Sequence, residues 1–249
     1  MSVMAKFDSK MPKQFSQLEM SMVAMFEMQH DLNKKIHPKW WDQGFKFHRA
    51  AWIECAELMD KIGWKWWSKQ ERDVAQLRME LVDIWHFLMS ALMLSSPLGH
   101  SGASTRIHSA ASYWAVHLWH HRLANGMIRS PERHLKTQVD KLAELLASNS
   151  TTESFTAFVS LVLTPGTGIK SWQELHALYI GKNVLNQFRQ DKGYKEGTYP
   201  TVWPDGKEDN EHLAELIETL SGREFDSDYS SEVRKRLDVR FGLQEHRKN

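Results

Sequence analysis

Apolar residues recur at helical spacing along most of this chain, and alternating strand-like patterns are scarce. Glycine and proline clusters, such as SSPLGHSG and TPGTG, separate the helical stretches. The spacing predicts helices over residues 17–33, 46–62, 73–95, 106–125, 131–148, 153–163, 171–191 and 208–220. The chain is therefore expected to form an all-α fold, with residues 225–249 as a charged tail.

The first three predicted helices each carry an apolar stripe that should face the core. We expect these inward residues to be Met22, Met25, Phe26 and Leu32 in the first helix, Trp52, Ile53, Ala56 and Met59 in the second, and Val74, Leu77, Leu81, Ile84 and Leu88 in the third. Asp73 stands just before the third helix, where its carboxylate can accept hydrogen bonds from free backbone N–H groups. We therefore expect Asp73 to be the N-cap of that helix.

Two pairs of acids lie within the apolar second and third helices. Glu54 and Glu57 form one pair and Glu80 and Asp83 the other, each with the i,i+3 spacing of one helix face. The pairs are mirrored about the middle of the connecting turn, so an antiparallel hairpin would bring all four acids level. Facing carboxylates repel one another unless cations lie between them. The pattern therefore predicts a metal-binding helix hairpin at the centre of a helical bundle.

Carboxylate oxygens are the ligands that Mg²⁺ prefers in proteins, and Mn²⁺ can take its place. Salt bridges from Lys61 or Arg78 are the alternative explanation for acids among apolar neighbours. That alternative treats each pair by itself and does not account for the mirrored spacing of the two pairs. We therefore expect a Mg²⁺ site that holds phosphates.

A second group of polar residues lies on the predicted helix over 171–191. Lys182, Asn186 and Arg189 share one helix face, and Asn183 lies beside it. This combination suits a phosphate chain and one polar edge of a base. The alternative is an ordinary solvent-exposed helix face.

Three further groups have both a binding and a structural interpretation. The tryptophans of WKWW (64–67) could stack on a base or cover the core beneath the turn. His86 and Phe87 follow Asp83 by one turn and could support a sugar or pack in the core. Gln29 and Asn33, one turn apart, could read a base or bond to neighbouring backbone.

The composition excludes several classes of protein. The net charge of +1 gives no overall field that would attract nucleic acid or a membrane surface. A single cysteine, Cys55, excludes an intramolecular disulfide framework and fits a reducing compartment. No stretch approaches the roughly 18 apolar residues of a membrane span, and the N-terminus lacks the apolar centre of a signal peptide. We therefore expect a cytoplasmic protein, or one of the host cytoplasm if it is viral, without nucleic-acid or membrane partners.

The chain resembles the dimeric, all-α dUTP diphosphatases of the MazG-like nucleotide pyrophosphohydrolase superfamily. The resemblance is carried by MQHDLN (28–33), WIECAELMDKIGWKWW (52–67), RMELVDIWHF (78–87), YIGKNVLNQFRQDKGYKEGTY (179–199) and KEDN (207–210). It implies one domain over residues 1–249, active as a homodimer, that hydrolyses dUTP to dUMP and pyrophosphate with Mg²⁺. Residues 96–165 lie outside these motifs and are expected to form an inserted, variable helical subdomain.

The resemblance also implies roles for individual residues. Glu54, Glu57, Glu80 and Asp83 match the Mg²⁺ ligands, and a metal-activated water attacks the phosphate chain with the help of Glu54 or, as second choice, Glu57. The residues matching the phosphate contacts are Lys65, Lys182, Arg189, Tyr194 and Lys195. His86 and Phe87 match a deoxyribose platform, and Gln29, Trp64 and Asn186 match the uracil pocket. Asn33 and Asn183 are expected beside the same base and sugar.

Two alternatives stay open at this point. The same chemistry could act on dCTP, or on both pyrimidine nucleotides, because a carboxamide from Gln29 or Asn186 can flip to present a donor or an acceptor. The chain could also be a non-catalytic helical dimer that binds a protein or a nucleotide. The four intact acids argue against that second alternative.

Overall fold

The fold consists of helices packed around one hydrophobic core. A computed structural model of the chain describes residues 13–95, 103–125, 134–223 and 226–246. Within these ranges there are nine α-helices and no strand, which confirms the all-α prediction. The helices are α1 (Lys13–Ile36), α2 (Phe47–Ile62), α3 (Val74–Ser95), α4 (Ala103–Asn125), α5 (Leu135–Ala147), α6 (Thr151–Val162), α7 (Trp172–Asp191), α8 (Asp209–Thr219) and α9 (Tyr229–His246). None of these helices is both long enough and apolar enough to cross a membrane.

Helices α1 and α3 turn their predicted stripes towards the core. All four inward residues predicted for α1 are buried. In α3 the predicted residues from Leu77 to Leu88 are buried, whereas Val74, in the first turn, is 42% exposed. Burying aliphatic, thioether and aromatic side chains in this way is the main stabilising contribution to a fold of this size.

The predicted inward face of α2 is wrong except at Met59, which is half-buried against the core. The helix buries Ala51, Cys55, Leu58 and Ile62, and it leaves Trp52, Ile53 and Ala56 exposed. The cause is that α2 carries two apolar stripes, of which α3 and α5 cover only the one with the smaller side chains. An apolar patch therefore remains on the outer face of α2.

The segment predicted as an insertion, 96–165, contributes α4, α5 and α6 in its described part. These helices pack on the helices around them: α4 on α1, α5 on α2, and α6 on α5 and α3. Their buried side chains belong to the same hydrophobic cluster as those of α1–α3. Whether the segment is a variable insertion stays a prediction.

Two polar contacts connect this segment to opposite ends of α2. Lys136 Nζ, at the start of α5, donates a hydrogen bond of 2.8 Å to the carbonyl of Gly63, just past the end of α2. Near the start of α2, His48 Nε2 lies 3.0 Å from the Thr151 hydroxyl. Both ends of α2 are thus held by residues that lie far away in the sequence.

The predicted charged tail contains a helix that the sequence analysis missed. In α9, Tyr229, Val233, Leu237 and Phe241 are buried against α7 and α8. They recur every fourth residue, so a short apolar stripe was present among the charges. The charged residues of α9 lie on its outer side and form ion pairs, such as Arg240 with Glu215 of α8.

Candidate active site

The turn between α2 and α3 sets the relative position of the two acid pairs. Gly63 ends α2 with a left-handed φ of 77°, a conformation that glycine adopts without strain. The Asp73 N–H then donates to the Lys61 carbonyl at 3.1 Å, which connects the two helix ends. Asp73 Oδ1 also accepts from Gln76 N at 3.0 Å, so Asp73 is the N-cap that the sequence predicts.

Three of the four predicted acids come together between α2 and α3. One carboxylate oxygen from each of Glu54, Glu57 and Glu80 lies within 4.8 Å of the other two. Glu80 is buried, Glu54 is half-buried and Glu57 is exposed, so the cluster extends from the core to the solvent. Three oxygen ligands converging in this way fit a hard divalent cation.

Burial and mutual repulsion both disfavour the charged forms of these acids. Burial, followed by the negative charges of Asp83, Glu57 and Glu80, raises the pKa of Glu54 to about 8. Burial and the charge of Asp83 raise the pKa of Glu80 to about 7. Negative charge is therefore concentrated here without enough positive charge nearby, which is the electrostatic setting of a cation site.

The fourth acid, Asp83, has a partner of its own. Its Oδ2 lies 2.8 Å from Nζ of Lys182, a side chain with only 2% exposure. The same Nζ donates to Asn210 Oδ1 at 2.8 Å. Lys182, a predicted phosphate contact, therefore joins α3 to α7 and α8 beside the acid cluster.

Arg189 lies two turns after Lys182 on the same face of α7, and it forms an ion pair with a carboxylate. Its Nε and Nη2 donate to the two oxygens of Asp209 at 2.8 and 2.7 Å, a bidentate pair. Asp209 is 1% exposed and also accepts from the Tyr199 hydroxyl at 2.9 Å. Nη1 of Arg189 donates to Asn186 Oδ1 at 3.2 Å, so two of the predicted ligand-binding residues contact each other.

Three of the residues expected near the base and sugar, Gln29, Asn33 and Asn183, lie in a buried polar network. Gln29 and Asn33 of α1 meet Ser90 of α3, and Tyr179 and Asn183 of α7 complete the set. All five side chains are buried. The network is next to the acid site, since the Tyr179 ring lies 4.6 Å from the ring of His86, one turn after Asp83.

His86 is neutral in this environment. Its Nδ1 lies 2.9 Å from the Val82 carbonyl and must be the protonated nitrogen, because a carbonyl only accepts. Burial is the main reason that its pKa is lowered to about 4. Its Nε2 is buried and has no hydrogen-bond partner among the described residues. Phe87, the other predicted platform residue, is half-buried.

The remaining predicted residues lie at the edge of the site. Trp64 is 41% exposed, and Lys65 Nζ lies 2.6 Å from Asp60 within the turn. Tyr194 and Lys195 are exposed just after α7. In this conformation Trp64, Tyr194 and Lys195 are exposed to solvent, and Lys65 is half-buried beside Asp60.

Several residues of the site had no predicted role. Asp209 accepts hydrogen bonds from Arg189, and Asn210 accepts one from Lys182. Ser90 and Tyr179 bond to the side-chain amides of Asn33 and Gln29. Ser90 is one turn from His86 on the same face of α3, so helical spacing could have drawn attention to it. An irregular loop separates Asp209 from Arg189 in the sequence, so helical spacing could not have predicted their contact.

The acid cluster is separate from a large cavity in the fold. A cavity of about 980 Å³ lies between the first half of α1, the start of α7 and residues 226–230, and none of the four acids lines it. The four predicted acids therefore lie outside this cavity, on α2 and α3 beside Lys182 of α7.

Comparison with known proteins identifies one family. A family model described as dUTPase matches residues 21–194, which is well over half of the chain and runs from α1 to the residues after α7. No curated protein matches the chain. The matched range includes both acid pairs, the polar network, Lys182 and Arg189.

Proposed function

We propose a metal-dependent reaction for this chain, which belongs to the dUTPase family and is therefore a dUTP diphosphatase, a hydrolase. In this proposal dUTP and water give dUMP and pyrophosphate with Mg²⁺ as the cofactor. The observation that carries it is the convergence of Glu54, Glu57 and Glu80 within 4.8 Å, with the pKa of Glu54 and of Glu80 raised.

The acids of α2 and α3 would hold the cation. Glu54, Glu57 and Glu80 supply three oxygens, and Asp83 is adjacent, next to Lys182. Bound Mg²⁺ would neutralise phosphate oxygens and make water easier to ionise. The Glu54 carboxylate would accept the proton of the attacking water, and Glu57 is the second candidate for that role.

The cations of α7 would bind the phosphate chain. Lys182 and Arg189 are on the helix face next to the acids, where they would stabilise charge that develops on the phosphate oxygens. Lys65, Tyr194 and Lys195 lie at the rim of the site and would have to move inwards to take part. Phe87 and the neutral His86 would support the deoxyribose, with Trp64 and the amides of the network around the uracil.

A second copy of the chain would complete the assembly. The exposed patch of Trp52, Ile53 and Ala56 on α2 is next to Glu57, and covering it would remove apolar surface from water. We propose that this patch lies in a homodimer interface and that the enzyme acts in the cytoplasm. Sedimentation equilibrium tests the dimer, and a monomer at micromolar concentration would contradict it.

The proposed reaction is tested with purified protein and a panel of nucleotides. We expect pyrophosphate release from dUTP in Mg²⁺, weaker release in Mn²⁺, and none after chelation by EDTA. The panel also includes dCTP, dTTP and UTP, so that equal turnover of dCTP would support the dual pyrimidine alternative. Hydrolysis of dUTP in EDTA would refute the metal-dependent mechanism. If no nucleotide in the panel were hydrolysed, the proposed reaction would be refuted.

A further inference from the structure

The buried network contains one side chain that fixes the direction of the others. Ser90 Oγ, which is fully buried, lies 3.1 Å from the His86 carbonyl and donates its single hydrogen to it. Gln29 Nε2 at 3.2 Å and Asn33 Nδ2 at 2.9 Å surround the same oxygen. Because the Ser90 hydrogen points to His86, both amides must turn their nitrogens towards Ser90.

This arrangement determines whether Gln29 can offer a ligand its amide nitrogen, as a donor, or its amide oxygen, as an acceptor. One hydrogen of Nε2 goes to Ser90 and the other to Asn33 Oδ1 at 3.0 Å, so both donors are used inside the protein. On the other side, Gln29 Oε1 lies 3.2 Å from the Tyr179 hydroxyl and keeps a second lone pair. Gln29 can therefore offer an acceptor to a base but no further donor.

A flipped pattern would also connect most of the same atoms. Tyr179 would direct its hydrogen only to the Met25 carbonyl, 2.9 Å away, and would accept from Gln29 Nε2. Asn33 would then donate to Gln29 Oε1, and Ser90 would turn its hydrogen to Asn33. In this pattern a donor of Gln29 becomes available, but Ser90 receives neither amide and the network has one hydrogen bond fewer.

The hydroxyl of Ser90 decides between the two patterns. Without it, the observed pattern loses three hydrogen bonds, those from Gln29 and Asn33 and that to His86. The flipped pattern loses only the bond from Ser90 to Asn33. The preference therefore reverses when the hydroxyl is removed, since each net hydrogen bond contributes similarly to stability.

We propose that Ser90 is a specificity-determining positioning residue that makes the site select uracil over cytosine. Uracil carries a hydrogen on N3 and needs an acceptor, whereas N3 of cytosine has no hydrogen and needs a donor. Ser90 holds Gln29 with its acceptor available, and so it disfavours dCTP without touching the nucleotide. The inference rests on the proposed function, because it takes the amide network as the base-reading part of the site.

The test compares kcat/KM for dUTP and dCTP in Mg²⁺ between the wild-type enzyme and Ser90→Ala. We expect the dUTP-to-dCTP ratio to fall about tenfold, the effect of roughly one hydrogen bond on selectivity. Ser90→Thr keeps a hydroxyl and should retain most of the ratio. Ser154→Ala is the matched control, because Ser154 is also fully buried and its hydroxyl has no hydrogen-bond partner among the described residues.

The outcomes separate this inference from the proposed function. If Ser90→Ala lowers turnover of both nucleotides equally, or leaves their ratio unchanged, Ser90 has at most a structural role and the inference is wrong. In those cases the wild-type activity on dUTP still supports the proposed function. If the wild-type enzyme hydrolyses neither nucleotide, the proposed function fails, and a selectivity role for Ser90 fails with it.

Discussion

Two charged regions of the molecule, one on α7 and α8 and one on α2 and α3, differ in how their charges are balanced. Nε and Nη2 of Arg189 donate to the two carboxylate oxygens of Asp209, so opposite charges meet at hydrogen-bond distance. Between α2 and α3, Glu54, Glu57 and Glu80 bring like charges together. The charges of the first arrangement are balanced within the chain, whereas those of the second would be balanced by the cation that we propose.

The difference shows which region is electrostatically balanced in the ligand-free protein and which would be balanced by a ligand. A buried, bidentate ion pair positions a helix and is stable by itself as long as both partners remain. A partly buried acid cluster lowers the stability of the metal-free fold, and it persists because the surrounding helices hold it in place. Removing a charge should therefore have opposite effects on stability in the two regions.

The largest expected effect is that of Glu57→Gln on activity. Losing one oxygen charge from the cluster should lower kcat for dUTP about a thousandfold, since metal ions supply several kcal/mol of charge stabilisation. The same change relieves repulsion, so the melting temperature in EDTA should stay the same or rise. Steady-state kinetics and thermal unfolding measure the two effects on one preparation.

Glu71→Gln provides the matched control for that experiment. Glu71 is an exposed acid in the same turn, loosely paired with Lys69 at 3.7 Å, and its replacement should change neither quantity. Full activity of Glu57→Gln would remove Glu57 from the metal site and would weaken the contrast between the two regions.

The second effect is a loss of stability when the Arg189–Asp209 ion pair is broken. Asp209→Ala leaves Arg189 partly buried without its carboxylate, and it should lower the free energy of unfolding by about 3 kcal/mol, as removing one partner of a buried pair does. Urea denaturation in EDTA measures this change without interference from metal binding. Asp226→Ala, which removes a partner of the exposed Arg223, is the control and should have little effect. If both changes had equal effects, the burial of the Arg189 pair would contribute nothing to stability.

The smallest effect is a pH dependence of stability in the metal-free protein. Burial and repulsion raise the pKa of Glu54 to about 8 and that of Glu80 to about 7, from ordinary values near 4.5. The folded chain therefore binds more protons than the unfolded chain in this window, and the free energy of unfolding falls as pH rises from about 5 to 8. Thermal unfolding in EDTA across this range should show the loss, and Glu54→Gln should reduce it.

Magnesium should counteract this trend. The cation binds the deprotonated acids, so the stabilisation by Mg²⁺ should be larger at the upper end of the window than at the lower end. An equal increase in melting temperature at all pH values would mean that the cation does not bind at Glu54 and Glu80.

The sequence contained enough information to predict the helices and the acid cluster. The i,i+3 pairs and the length of the turn are local features, and local geometry alone brings Glu54, Glu57 and Glu80 to one place. The N-cap Asp73 is likewise a local feature and was predicted correctly. The all-α class follows from a period that persists along most of the chain.

The contacts that the sequence could not predict depend on tertiary packing. Which stripe of α2 is buried depends on the shapes of α3 and α5, and the bulkier stripe with Trp52 and Ile53 stayed outside. Two of the partners of Gln29, Ser90 and Tyr179, lie 61 and 150 positions away along the chain, beyond any periodic signal. Asp209 reaches Arg189 only because the intervening loop folds back.

The two contacts at the ends of α2 matter for anyone redesigning this protein. Lys136 and Thr151 belong to the segment predicted as a variable insertion, and they contact the two ends of the helix that carries Glu54 and Glu57. A shortened version that joined α3 directly to α7 would keep the residues that we propose for the active site and lose both of these contacts. The segment therefore works as a brace for α2, and a minimal enzyme would need a substitute for it.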